Sequence, residues 1–176
     1  MIERIMILGA ILLVLAIAAL VGADQLIKYW AVHELKPKGS MEFIHFGSFK
    51  VFDLTYLEND GAIFGSMAGQ RWFLIGFTGI VLVAGAVALY IFRKRSKLLT
   101  ASITLFVAGG IGNIIDRVRF GYVVDMFEFK IFKFAIFNFA DICVTFAFIM
   151  LLAYGLFIDP KLEKAKKAEK EAAGNE

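Results

Sequence analysis

The sequence predicts an all-α polytopic membrane protein with four transmembrane helices. Of its 176 residues 60% are hydrophobic, and the mean hydropathy is +0.74, a composition far from that of a soluble core. Charged residues are 20% of the chain and sit in clusters. They leave four uncharged stretches, Ile5–Ala23, Trp72–Phe92, Leu98–Ile115 and Ile142–Ile158. Each is close to the ~17–25 residues that cross a bilayer core as a helix. Backbone groups in lipid must be paired within their own segment, so helix is the form they take. The length fits one domain.

The first helix is placed at about residues 5–28. A secretory signal peptide is the rival reading, since Arg4 precedes the run and "ALVGA" resembles a cleavage site. The run exceeds the ~7–15 residues of a signal h-region, which favours an anchor. A long outer loop, about 29–70, follows. Within it Ile44 and Phe46, then a Gly47-Ser48 turn, then Phe49, Val51 and Phe52 predict a short apolar hairpin lying on the membrane or on the helices. The same loop ends in "ENDGAIFGSMAGQ", whose Gly61, Gly65 and Gly69 allow movement over a cleft. Helices at about 71–92 and 98–116 are joined by "RKRSK". A second outer loop, about 117–136, alternates aromatic with charged residues and reads as extended. The fourth helix, about 137–158, precedes a charged tail, 161–176.

Basic loops stay on the cytoplasmic side. "RKRSK" and the lysines of the tail therefore place both termini in the cytoplasm and the two long loops outside. The net charge of +3 is read as this topology signal. No basic stripe with interleaved aromatics suggests a nucleic-acid partner. The one cysteine, Cys143, cannot form an intrachain disulfide, and no Cys/His set has metal-ligand spacing. His33 and His45 form no recognisable site.

Several polar residues stand where hydrocarbon begins. Asp24 and Lys28, spaced i and i+4, can meet on one helix face; an ion pair marking the helix end is the plain alternative. Asn59, in "NDGAIF", is also strong turn chemistry. In "GGIGNIIDR", Gly109 and Gly112 let another backbone approach, while Asn113, Asp116 and Arg117 share a face. Asn138 and Asp141 fit an N-cap and a first-turn acid. Asp125 and Asp141 lie on the same side of the membrane among apolar neighbours. Two carboxyls facing each other cannot both ionise at close range and share a proton, the electrostatic arrangement of an aspartic protease.

These residues fall in five blocks, "DQLIK" (24–28), "NDGAIF" (59–64), "GGIGNIIDR" (109–117), "VVDMF" (123–127) and "FNFAD" (137–141). In that order, with four membrane helices, the chain resembles the lipoprotein signal peptidases, the bacterial type II signal peptidases. Ile63 stands where that family commonly has a smaller or different residue. The resemblance implies four transmembrane helices with a small extracytoplasmic β-element and a short surface helix. Residues 1–160 would form the membrane peptidase domain, in the bacterial cytoplasmic membrane. It implies removal of signal peptides from diacylglyceryl-modified prolipoproteins, by cleavage before the lipidated cysteine. It assigns catalysis to Asp125 and Asp141, and a supporting role to Asp24, Lys28, Asn59, Gly61, Asn113, Asp116, Arg117 and Asn138. Neither a metal nor an organic cofactor is expected, and the partners are the substrate and membrane lipids around a monomer. The rival class, a proton-coupled transporter, would spread ionisable groups over several depths including the midplane; here they gather at one surface. A purely structural membrane partner leaves the convergence of five polar blocks unexplained.

Overall fold

The computed structural model describes residues 2–62 and 66–165. Ile63, Gly65 and the tail from residue 166 lie outside the described residues. Four helices are long and apolar enough to cross a membrane. The first, α1 (Ile2–Trp30), continues through a π-helical turn, Ala31–Leu35. Next come α2 (Arg71–Phe92) and α3 (Lys97–Arg119). The last, α4 (Phe139–Ala153), runs through a second π-helical turn, Tyr154–Ile158, and on to Ala165. Large apolar side chains such as Ile7, Leu15, Ile80, Val83 and Phe146 cover the outside of the bundle, as lipid-facing surfaces require.

The centre of the bundle is α3, which packs against α1, α2 and α4. Besides Leu99, Val107 and Asp116, its buried residues are small: Ser102, Thr104, Ala108, Gly109, Gly110 and Gly112. A Cβ on Gly109 would lie 2.5 Å from the Ala140 carbonyl oxygen of α4, and one on Gly112 would lie 2.5 Å from Asp24 Oδ2 of α1. Lipid is as apolar as leucine, so helices gain by close packing through small residues rather than by the hydrophobic effect. The glycines make that approach possible.

At one end of the bundle sits a three-stranded antiparallel sheet, ordered β1 (Ser40–Phe46), β2 (Phe49–Asn59), β3 (Val123–Phe129). The β1–β2 hairpin turns at Gly47, whose φ of 62° suits glycine. The hairpin is longer than the Ile44–Phe52 core that the sequence suggests, and the extended part of the second loop joins it as a third strand. A register shift between Leu54 and Leu57 sets Leu57 opposite Asp125 and Asn59 opposite Val123. The sheet is tied to the bundle by a core of Ala31, Leu35, Leu54, Val124 and Met126, against which Ile27 and Val32 pack. Beyond β3 the chain folds back. Phe127 and Phe137 exchange backbone hydrogen bonds, with N···O distances of 2.8 and 3.1 Å. This bridge brings the start of α4 beside β3.

Candidate active site

The Phe127–Phe137 bridge determines the site. Asp125 lies two residues before one partner, and Asn138 immediately follows the other. Asn138 Nδ2 donates to Asp125 Oδ1 at 2.6 Å. Asn138 is also the N-cap of α4: its Oδ1 accepts from the Asp141 N–H (2.9 Å), and Asp141 Oδ2 accepts from the Asn138 N–H (3.1 Å). This reciprocal pairing is a capping box with aspartate in place of glutamate. One asparagine therefore holds both carboxyls, one through its side chain and the other through a helix cap. The plain capping geometry of Asp141 is present together with its position beside Asp125.

The other oxygens of the two carboxyls are also engaged. Asn59, the last residue of β2 and so not a free turn residue, donates from Nδ2 to Asp125 Oδ2 at 2.9 Å. Its Oδ1 accepts the Gly61 N–H (3.1 Å), so the turn chemistry and the site contact coexist. Asn113 of α3 donates from Nδ2 to Asp141 Oδ1 at 2.8 Å. Asp125 is buried at 1% exposure. Burial, and next the charge of Asp141, push its carboxyl up to about 7; the two amide donors pull the other way.

Beneath the carboxyls lies a buried ionic layer. Lys28 of α1 contacts Asp24 Oδ2 (3.0 Å), Asp116 Oδ2 (2.9 Å) and Asn113 Oδ1 (3.0 Å). Asp24 Oδ1 accepts the Ala140 N–H at the first turn of α4 (3.0 Å), and Asp116 Oδ2 accepts the Val124 N–H of β3 (3.1 Å). Four elements, α1, α3, β3 and α4, are thus fastened together by charge-assisted hydrogen bonds. The Asp24–Lys28 pair exists, but it is buried and joined to the site, not a marker of the helix end. Asp116 pairs with Lys28 of α1 and not with the adjacent Arg117. Arg117 instead donates from Nη2 to the Gly61 carbonyl at 2.8 Å.

All ten residues singled out in the sequence therefore belong to one connected network. Gln25 belongs to it too and carried no sequence argument of its own. Its Nε2 lies 2.9 Å from Asp116 Oδ1, 3.2 Å from Asp24 Oδ2 and 3.3 Å from the Gly112 carbonyl. The available signal was an amide beside Asp24 at the edge of an apolar run.

Asp125 and Asp141 both line a cavity of about 490 Å³, together with Asn59, Asn113 and Arg117. Its remaining walls are largely apolar, with Phe129, Phe134 and Phe137 on one side and the Ile142–Phe146 stretch of α4 on another. The cavity could hold an extended peptide beside an apolar group. Among the described residues no group of three or more His, Cys, Asp or Glu side chains could hold a metal ion.

The chain is similar to known proteins in sequence and fold. A solved bacterial membrane enzyme at 2.3 Å resolution superposes with a TM-score of 0.73 at 32% identity, covering 82% of this chain and 87% of its own. A second, at 1.9 Å, gives 0.71 at 32% identity, over 83% and 93%. A lipoprotein signal peptidase of Streptococcus thermophilus is 42% identical over 139 residues, 78% of this chain and 87% of the relative. One from Clostridioides difficile is 38% identical over 152 residues, 85% and 98%. The family model described as signal peptidase (SPase) II matches residues 16–157. That span contains every residue of the network from Asp24 to Asp141, and the chain belongs to the signal peptidase II family.

Proposed function

We propose that this chain is an aspartic endopeptidase in which Asp125 and Asp141 act as one dyad on water, and that it removes signal peptides from diacylglyceryl-modified prolipoproteins by cleaving before the lipidated cysteine. The observation that carries this reading is the convergence of the two carboxyls on one cavity, with Asn138 bonded to both. Membership of the family makes the protein a peptidase; the carboxyl pair, a buried Asp125 beside a half-buried Asp141, supplies the chemistry.

A carboxyl raised to about 7 beside a second carboxyl gives a site that holds one proton between two groups near neutral pH. The ionised member takes a proton from water as it attacks the scissile carbonyl. The protonated member donates to the carbonyl oxygen and so stabilises the tetrahedral intermediate. The proton taken from water then goes to the leaving amine. Asn113, Asn138 and Arg117 hold the dyad and the substrate backbone. Asp24, Lys28 and Asp116 hold those residues in place. Asn59 and Gly61 join the site to the loop that covers the cleft. The apolar walls suit a lipid-modified residue and surrounding membrane lipids.

In this reading the sheet lies on the outer side of a bacterial cytoplasmic membrane. The end carrying Arg93, Lys94, Arg95 and Lys97 faces the cytoplasm, as do both termini and the 161–176 tail. Residues 1–160 form the peptidase unit. One chain carries both carboxyls, and the working form in this reading is a monomer.

The test is purified protein in detergent with a diacylglyceryl-modified prolipoprotein, followed by release of the signal peptide. Asp125→Asn and Asp141→Asn each lose cleavage by about 10²–10⁴-fold, the usual contribution of positioned acid–base groups. Their thermal stability stays close to wild type. Because the two act as a unit, the double variant is hardly worse than either single one. If Asp141 were only a first-turn acid, its amide would cost ~0.3–1 kcal/mol of stability and leave cleavage intact. Near-native cleavage by either single variant overturns the dyad.

A further inference from the structure

The amide of Asn113 sits between an ammonium and a carboxyl, and an amide has one end for each. Lys28 Nζ is a donor only, with three N–H groups. All three are used, on Asp24 Oδ2 (3.0 Å), Asp116 Oδ2 (2.9 Å) and Asn113 Oδ1 (3.0 Å). The Asn113 atom that meets Lys28 must be the oxygen, because a turned amide would set its NH₂ against the NH₃⁺. Asn138 Nδ2, at 3.2 Å, requires the same oxygen. The Asn113 NH₂ is thereby forced toward Asp141 Oδ1, at 2.8 Å.

Lys28 is buried, and two of the partners that hold it are themselves fixed by backbone N–H groups. Its position is thus set by α1, α3, β3 and α4 together. On the other side of Asp141, Oδ2 takes the Asn138 N–H at the positive end of the α4 dipole. Asp125 stands on a strand, has no helix terminus, and receives only the side-chain amides of Asn59 and Asn138. The two carboxyls are therefore not equivalent. Each carboxyl accepts two hydrogen bonds, but only Asp141 takes one from a backbone N–H in the first turn of a helix, where the dipole favours the charged form.

We infer that Lys28 is a positioning residue that locks the Asn113 amide, and through it holds Asp141 as the ionised general base while Asp125 carries the proton. This rests on the aspartic-dyad reading and adds a division of roles within it. The other charged groups near Asp141 are Asp125 on β3 and Arg117 on α3, which couple to it, and Asp24 on α1, which holds the neighbouring Ala140 N–H; Asp116 on α3 lies behind, on Lys28. None of them orients the Asn113 amide directly.

The experiment is the pH profile of kcat/KM with the diacylglyceryl-modified prolipoprotein. Asn113→Asp keeps an oxygen for Lys28 but replaces the NH₂ facing Asp141 with a second oxygen. Lys28→Gln combined with Asp116→Asn keeps the charge of the Asp24–Lys28–Asp116 layer at −1 and frees the amide to turn. In both, the acid limb moves up by about one pH unit or more, so cleavage on that limb falls about tenfold, and the bell narrows from its acid side. A residue that only supports the fold would lower cleavage evenly at all pH values along with thermal stability. An unmoved acid limb in Asn113→Asp overturns the inference, and that variant decides alone if the double variant does not fold. Retained cleavage by Asp125→Asn or Asp141→Asn would instead sink the dyad itself, so the two failures are distinct.

Discussion

Asn138 is the residue on which the site turns. It caps α4, receives the Asp141 N–H and donates to Asp125. Asn138→Ala should cost ~1 kcal/mol of stability, the usual loss for an N-cap. The loss of cleavage should be much larger, since Asp125 loses one of its two amide donors and Asp141 its partner. Thermal unfolding in detergent beside the cleavage rate checks this; parallel losses would reduce Asn138 to a cap. Asp125 supplies a second prediction at this scale. In the folded protein its carboxyl keeps its proton up to about pH 7, whereas in the unfolded chain it releases it at about 4. Between these values the folded state binds more protons, so this group's contribution to stability falls as pH rises. Asp125→Asn removes that slope, and the melting temperature of wild type relative to the variant should drop between about pH 4 and about pH 7, the values at which the carboxyl titrates in the unfolded and folded states. With Asp125 as the acid, wild-type kcat/KM should also decline above about pH 7, because this quantity reports the free enzyme's groups.

At the scale of elements, the spacing of α3 from its neighbours governs the chemistry. A methyl group on Gly109 would press on the backbone carbonyl of Ala140, which cannot step aside without moving α4. Gly109→Ala should therefore cost ~1–3 kcal/mol, the range for overpacked cores. It should also lower cleavage, by shifting Asp141 relative to β3. Gly112→Ala meets a carboxylate oxygen rather than backbone, so its main effect should fall on the Asp24–Lys28 layer and on activity. Melting temperature and cleavage rate for the two variants test the contrast, and a Gly109→Ala protein with native stability would refute it. The sheet matters as a carrier. The Phe127–Phe137 bridge brings the first turn of α4 beside β3, and the Asn138–Asp125 hydrogen bond holds it there.

At the scale of the whole molecule, the polar network gathers at the sheet end of the bundle, and the "RKRSK" turn lies at the other. There Arg95 is clasped by Asp159 (2.7 Å) and Glu163 (2.7 Å) beyond the second π-helical turn. Cysteines placed singly at Ser48, in the β1–β2 turn, and Ser96, at the N-cap of α3, should label from opposite sides of the membrane with an impermeant reagent. Cys143 is buried and is replaced by alanine in both. Labelling from one side only would overturn the proposed orientation.

The sequence alone determined the four helices, since length and apolarity are local properties and lipid admits few other forms. It also marked the polar residues of the site, because a charge beside hydrocarbon is costly enough to stand out. It could not say which of them touch. Asp116 bonds to a lysine on another helix rather than to the arginine beside it, and Gln25 reaches across to α3. β3 pairs with β2 across the intervening helices α2 and α3. These contacts join residues far apart in sequence, 91 positions in the case of Gln25 and Asp116. They depend on how closely α1 and α4 approach α3 and on one backbone bridge after β3, which are properties of the packed bundle and of no single segment.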